Sequence, residues 1–178
     1  RGEETPVLEA FAALRKKFPE AKLIIAPREL LRTTEVATLC RHKGFSVARR
    51  TELLKEPSDG HDIVILDTIG ELGRVYSIGD VIYVGGSLIA RGGHNPLEAL
   101  HAGIPVTFGA SMYNFQHIRD RLVREPFARE LADNRPETLA AALLALHAAP
   151  HSAAIRACMS GYENIVAAHL RHLEDHIK

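Results

Sequence analysis

The run GGSLIARGGHNPLE, residues 85–98, sets glycines, a histidine, an asparagine and a carboxylate between an apolar stretch, DVIYV, and a segment with helix-start signals. Asn95, Pro96 and Glu98 fit the cap, first and third positions of a helix. Asn accepts from free N–H groups, Pro needs no donor there, and a carboxylate can bond back to the cap amide. That much describes a well-built helix start. The glycines allow more: Gly92 and Gly93 leave a backbone that a ligand can approach, and the helix start offers N–H groups and partial positive charge to an anion. Glu98 could instead hold the two hydroxyls of a ribose. Capping and ligand binding both remain open on spacing alone. Ser87 is a small donor suited to a phosphate oxygen. His94, inside the glycine loop, could donate to a phosphate or a carboxylate, or hold the loop together.

Two more loops carry similar signals. In DTIGE, Thr68 and Glu71 predict a T-x-x-E capping box, and Gly70 between them lets backbone come close to a flat ring. In APRE, Pro27 and Arg28 follow a short apolar run. A guanidinium there could grip phosphate with its planar fork, or simply pair with Glu29 on a helix surface. His169, His172 and His176 have helical spacing, but no carboxylate or cysteine completes a ligand set, so no metal site is expected. GGSLIARGG is not G-x-G-x-x-G, and neither a Walker loop nor a G-x-S-x-G elbow occurs.

These loops need elements to hold them. EETPVLEAFAALRKKF has helical apolar spacing; Leu23–Ala26 is a short buried strand, followed by a helix through about Lys43 and a strand in FSVARR. HDIVILDT predicts a strand, IGELGRVYSIGD a helix of about three turns, VIYVGG a strand, NPLEALHAG a helix and IPVTFG a strand. From Asn114 the chain reads mostly as helix, with a last segment from about residue 152. Apolar strands each followed by a helix imply a doubly wound, Rossmann-like parallel sheet with helices on both faces. Such sheets bind ligands beyond the carboxyl ends of their strands, where all three loops should open.

The 178 residues fit one domain or one half of a larger enzyme. Lys+Arg and Asp+Glu balance at 22 each, leaving no basic field for nucleic acid or an anionic membrane. Cys40 and Cys158 are too few and too scattered for a disulfide framework or a zinc site, which fits a reducing, cytoplasmic setting. No apolar run has membrane-spanning length and no signal-peptide pattern opens the sequence. A doubly wound domain ordinarily opens with a strand, whereas this chain opens at the loop before a helix. It therefore reads as a piece of something longer, cut just after that strand.

Taken together, APRE, DTIGEL, VGGSL…RGGHNPLE and GIPVTFG…NF resemble the carboxyl-terminal half of 3-deoxy-D-manno-octulosonic acid (Kdo) transferases. These are glycosyltransferases of GT-B architecture that build the inner core of lipopolysaccharide. The resemblance runs from GEE near the start to the last helix, with departures at ALHAG and GASMYNF. It implies one donor-binding domain over residues 1–178, its last helical segment (about 152–178) packing back on it. It implies binding of CMP-Kdo, with backbone around Ile69 and Gly70 reading the cytosine beside Glu71, and Glu98 on the ribose. Pro27, Arg28, Ser87, Gly93, His94 and the helix start at Asn95 would surround the phosphate.

The resemblance further implies an amino-terminal half, absent here, that binds a lipid A precursor and carries the carboxylate base of an inverting transfer. No catalytic residue is then expected in this chain. The transfer would need no metal, since Arg28 and helix N–H groups can compensate a phosphate monoester leaving group. The parent enzyme would work peripherally at the cytoplasmic face of the bacterial inner membrane. A UDP-sugar-using GT-B transferase or epimerase, and a catalytically silent nucleotide-binding module, are the competing expectations.

Overall fold

The computed structural model describes residues 2–161; the three histidines at 169, 172 and 176 lie outside them. Helix α1 (Glu4–Arg15) is followed by β1 (Leu23–Ile25), α2 (Thr33–His42), β2 (Val47–Arg49), α3 (Arg50–Leu53) and β3 (Ile63–Ile65). The chain continues through α4 (Leu72–Tyr76), β4 (Ile82–Val84), α5 (Leu97–His101), β5 (Val106–Phe108), α6 (Gln116–Leu122), β6 (Ala128–Glu130) and α7 (Pro136–His147). A last described helix, α8, covers Ser152–Gly161.

All four strand pairings are parallel, as the apolar runs require. They fall into two three-stranded sheets, ordered β1-β3-β2 and β4-β5-β6, with no ladder joining them among the described residues. The central strands are the most deeply buried: Ile63 and Ile65 on β3, Val106 and Phe108 on β5, all at 0% exposure. Their near-total loss of polar residues follows from being covered on both faces.

Helix α1 ties the two sheets together. Its Leu8 and Phe11 join Val36, Ala37 and Cys40 of α2 over Val47, Ile63 and Ile65. Its Ala10, Val7 and Leu14 turn instead toward Leu88, Tyr83 and the α7 residues Leu139 and Ala140. Apolar residues on two stripes of one helix therefore serve two cores. The second sheet has its own core of Val84, Phe108, Leu122 and Phe127, into which α8 inserts Ile155, Cys158 and Met159.

One expectation is corrected and two are refined. The segment 69–80 forms only the five-residue α4, because Ser77 hydrogen bonds back to the Arg74 carbonyl and Gly79 follows. The described region after Asn114 is mostly helix, as expected, but Ala128–Glu130 interrupts it by adding a strand to β5. The parallel α/β architecture stands as expected, its strands divided between two sheets.

Two side features fix the frame. The Arg32 guanidinium before α2 bonds Glu4 in the first turn of α1 at 2.5 Å. Burial favours the protonated Glu4 carboxyl, but backbone N–H groups and Arg32 outweigh burial and hold it down at about 2, against an ordinary 4.5. At the end of β5, Gly109 lies against the Ser87 peptide; a Cβ there would overlap the Ser87 carbonyl and stand 2.9 Å from the Leu88 nitrogen.

Two outcomes follow from this frame. A carboxyl depressed by folding contributes stability above its ordinary value that is lost as pH falls through the folded one. Urea unfolding should thus show stability declining between about pH 4.5 and 2, and Glu4→Gln should flatten that limb. Gly109→Ala should cost about 2–3 kcal/mol, because the blocking atoms are backbone. Gly44→Ala, whose φ of +88° opens onto free space, should cost only about 1 kcal/mol; equal costs in denaturant melts would contradict the close contact at Gly109.

Candidate functional site

The loop from Gly85 to His94 leaves the carboxyl end of β4 and closes on itself. The Gly93 N–H donates to the Gly86 carbonyl at 2.9 Å and the His94 N–H to the Gly85 carbonyl at 3.1 Å. The segment after β5 clasps this loop: the Asn114 N–H donates to the Gly92 carbonyl, and the Gly92 N–H to the Ser111 hydroxyl. Gly92 and Gly93 have φ of +83° and +71°, and a Cβ at either would overlap Asn114 or Met112. Their glycine identity is thus explained by turn geometry and close packing. GASMYNF, at residues 109–115, forms the clasp.

Ser87 is 1% exposed. Its hydroxyl donates to the Val84 carbonyl at 2.6 Å and accepts from the Gly109 N–H at 2.8 Å, so both capacities serve the turn itself. A residue that sequence reasoning did not single out holds the same turn from the other side. Glu3, just before α1, accepts from the Gly86 and Leu88 N–H groups and from the Tyr83 hydroxyl. Nothing local in GEE announces partners 80 or more positions away.

Helix α5 starts one residue later than expected, with Pro96 at the cap. The Asn95 side chain nevertheless accepts from the Leu97 N–H at 3.1 Å, which satisfies one of the free donors of the first turn. Glu98 projects from that turn and is exposed.

The T-x-x-E capping box at 68–71 does not form. Glu71 itself occupies the α4 cap position, without a side-chain cap bond. Its carboxylate instead accepts from the Thr68 hydroxyl and from Arg50 at 3.0 Å. Those bonds, Thr68 first, hold the Glu71 carboxyl below its ordinary range. Asp67 braces the same loop by accepting from the Thr51 N–H at 2.9 Å and from its hydroxyl at 2.6 Å. Burial works against the charged Asp67, yet the Thr51 bonds keep its carboxyl below the usual range. The braced loop presents Ile69 almost fully to solvent, at 87% exposure, beside Gly70 at φ +85°.

Arg28 follows β1 and is exposed, with Pro27 half-buried before it. Among the described residues neither Arg28 nor Glu98 has a hydrogen-bond or ion-pair partner, so Arg28 does not pair with Glu29. His94 lies between their fields. Its ring rests on the Gly85–Gly86 backbone, where a Cβ on either glycine would stand 3.6 Å from a ring nitrogen. Partial desolvation of the ring against that backbone, then the positive charges of Arg28 and Arg91, hold the imidazole of the otherwise exposed His94 below its ordinary value, against opposing pulls from Glu3 and Glu98. At neutral pH it is a neutral donor and acceptor.

The loops after β1 and β4 thus come together at His94. The loop after β3 joins them through α4, which packs on α5 and sets Tyr76 in the field of Glu98. Among the described residues this face offers the cations Arg28 and Arg91 and the carboxylate Glu98, none with a side-chain partner, together with a neutral imidazole and exposed glycine-flanked backbone. Among the described residues no group of three His, Cys, Asp or Glu side chains could hold a metal ion, and no single helix is long and apolar enough to cross a membrane.

No family model matches the chain. It is 39% identical over 124 residues to the 3-deoxy-D-manno-octulosonic acid transferase of Haemophilus influenzae, covering 68% of this chain and 28% of that protein. It is 36% identical over 141 residues to the enzyme of the same name from Bordetella pertussis, covering 74% of this chain and 33% of that one. The chain therefore spans about a third of the length of these curated relatives. The crystal structure of the C-terminal CMP-Kdo binding domain of WaaA from Acinetobacter baumannii superposes with a TM-score of 0.77 at 28% identity, over 93% of this chain and 84% of that one. With an α/β fold shared across nearly all of that domain and identities of this size to the full-length enzymes, the chain belongs to the Kdo transferase family, as the carboxyl-terminal half of its GT-B architecture.

Proposed function

We propose that this chain is the donor-binding domain of a Kdo transferase and that it holds CMP-Kdo during inverting transfer of Kdo to a lipid A precursor. The observation that carries the reading is the pairing of two unpartnered charges, Arg28 and Glu98, in the field of one histidine at the carboxyl ends of the strands. A charged side chain without an internal partner is available to a ligand, and this end of a parallel α/β sheet is where ligands bind. The A. baumannii domain, named for CMP-Kdo binding, supports the choice of donor.

In this reading the cytosine lies on the Ile69–Gly70 backbone, where an exposed apolar side chain and an open glycine accept a flat ring. Glu71 keeps that loop in place through Thr68 and Arg50 rather than touching the base. Glu98 accepts from the ribose hydroxyls. Arg28, behind Pro27, takes the phosphate, and His94 donates to the phosphate or to the carboxylate of the sugar. Gly93 and Asn95 shape the loop and helix start beside them. Ser87 acts through the turn it braces, since its hydroxyl is already engaged on both sides.

The chemistry follows from those positions. An acceptor hydroxyl attacks the anomeric carbon from the face opposite the phosphate, a base on the amino-terminal half takes its proton, and the carbon–oxygen bond to CMP breaks with its electron pair going to phosphate. Charge grows on the departing phosphate, where Arg28 stabilises it. The lipid acceptor places this step at the cytoplasmic face of the inner membrane, reached through the parent enzyme. No metal ion is assigned a role.

Two measurements test this. In thermal melts CMP should raise Tm more than UMP or UDP; equal protection by UDP would instead favour a UDP-sugar enzyme. By calorimetry Arg28→Ala and Glu98→Ala should each weaken CMP binding by about 1.5–3 kcal/mol, as expected for hydrogen bonds to charged groups. Unliganded stability should stay within about 0.5 kcal/mol, because neither side chain supports the fold.

A further inference from the structure

Glu3 stands at the cap position of α1 but makes no side-chain bond to its own helix. A residue placed there ordinarily satisfies the first free N–H groups of the helix that follows. Here the carboxylate leaves them and crosses to the turn after β4. One oxygen accepts from the Gly86 N–H at 2.5 Å; the other accepts from the Leu88 N–H at 2.6 Å and from the Tyr83 hydroxyl at 2.8 Å. Bonds of this kind, donated to a charged acceptor, are short and strong.

The two amides flank Ser87, whose hydroxyl is tied to Val84 and Gly109 on the opposite side. The turn is therefore clamped twice, by β5 and by the start of α1. From it the chain runs to Gly92, Gly93 and His94, and the His94 N–H returns to the Gly85 carbonyl. A Cβ on Gly85 would lie 3.6 Å from both the Glu3 carboxylate and the His94 ring, so the acid and the imidazole bracket one glycine.

We infer that Glu3 is a positioning residue of the nucleotide site: by orienting the Gly86 and Leu88 peptides it fixes the turn beneath His94 against which the phosphate is received, without touching the nucleotide. The inference rests on the CMP-binding reading above. Only a carboxylate suits the task. Glutamine presents one oxygen and one NH2 group to three donors, so at least one N–H would face another donor. The effect falls on the phosphate side of the ligand, because the base is assigned to the loop after β3, which Arg50 and Thr51 hold independently of Glu3.

The test compares cytidine and CMP by calorimetry in the unmodified chain, Glu3→Gln and Glu4→Gln, with amide hydrogen exchange on each. In Glu3→Gln, exchange at Gly86 and Leu88 should speed up while α7 amides stay protected. Cytidine affinity should be unchanged, and the advantage of CMP over cytidine should fall about tenfold, the loss of one charged hydrogen bond. Glu4→Gln, one residue on, should keep that advantage. An unaltered CMP advantage in Glu3→Gln overturns the inference, as does a parallel fall for both ligands with α7 deprotected, which would make Glu3 a fold residue only. If the unmodified chain itself shows no CMP advantage, the CMP-binding reading fails and takes this role with it.

Discussion

The peptides of Ser87 and Gly109 meet with no side chain between them, and the geometry of the site depends on that contact. The Ser87 carbonyl accepts from the Ser111 N–H at 2.9 Å while its hydroxyl accepts from the Gly109 N–H. Two loops from neighbouring parallel strands are thereby fastened backbone to backbone, at a separation that a methyl group on Gly109 would prevent. A surface built this way is rigid where it is bare. Its shape comes from main-chain atoms, and Arg28, Arg91, His94 and Glu98 project from it without side-chain hydrogen bonds among the described residues.

The same economy extends through the fold. Helix α1 serves two hydrophobic cores at once, so its first residues arrive at a fixed place relative to both sheets. Its helix terminus is then able to supply Glu3 to the turn after β4 and Glu4 to Arg32. Packing along the helix thus determines electrostatics at its end. The charged groups around the site divide into two kinds. Glu71, Asp67 and Arg50 are committed to internal bonds and brace their loop, whereas Arg28 and Glu98 are not.

Features carried by short-range pattern were legible in the sequence. IVI is an apolar run and VTF a β-branched and aromatic one, each followed by a turn signal and a helix start, so both read as buried strands whose loops emerge at one end of a parallel sheet. The strand Ala128–Glu130 was not legible, because Ala128, Arg129 and Glu130 give no alternation to read after the buried Phe127, and its identity comes from pairing with β5. The capping box at 68–71 failed for a related reason. Thr68 and Glu71 have the right spacing, but Arg50, 21 residues before Glu71, draws the carboxylate away and the helix starts later. Glu3 is the extreme case: its neighbours in sequence suggest a cap, and its partners lie in a loop on a different sheet.

That division also decides which sequence signals were about function. Asn95 and Pro96 look like a helix start and behave as one, with the Asn95 oxygen on the Leu97 N–H. Ser87 looks like a phosphate donor, yet its hydroxyl is fully engaged inside the turn. Glu98, read as either a back-bonding cap residue or a ribose ligand, makes no cap bond and remains free at the surface. A free carboxylate in a first helical turn is stabilised by the partial positive charge there, so it costs the fold little to leave it without a partner. Arg28 has no such support. In the proposed reading, an arginine with no partner among the described residues, beside a neutral histidine, is balanced by an anion brought from outside, and a phosphate is the anion whose oxygens its planar fork matches.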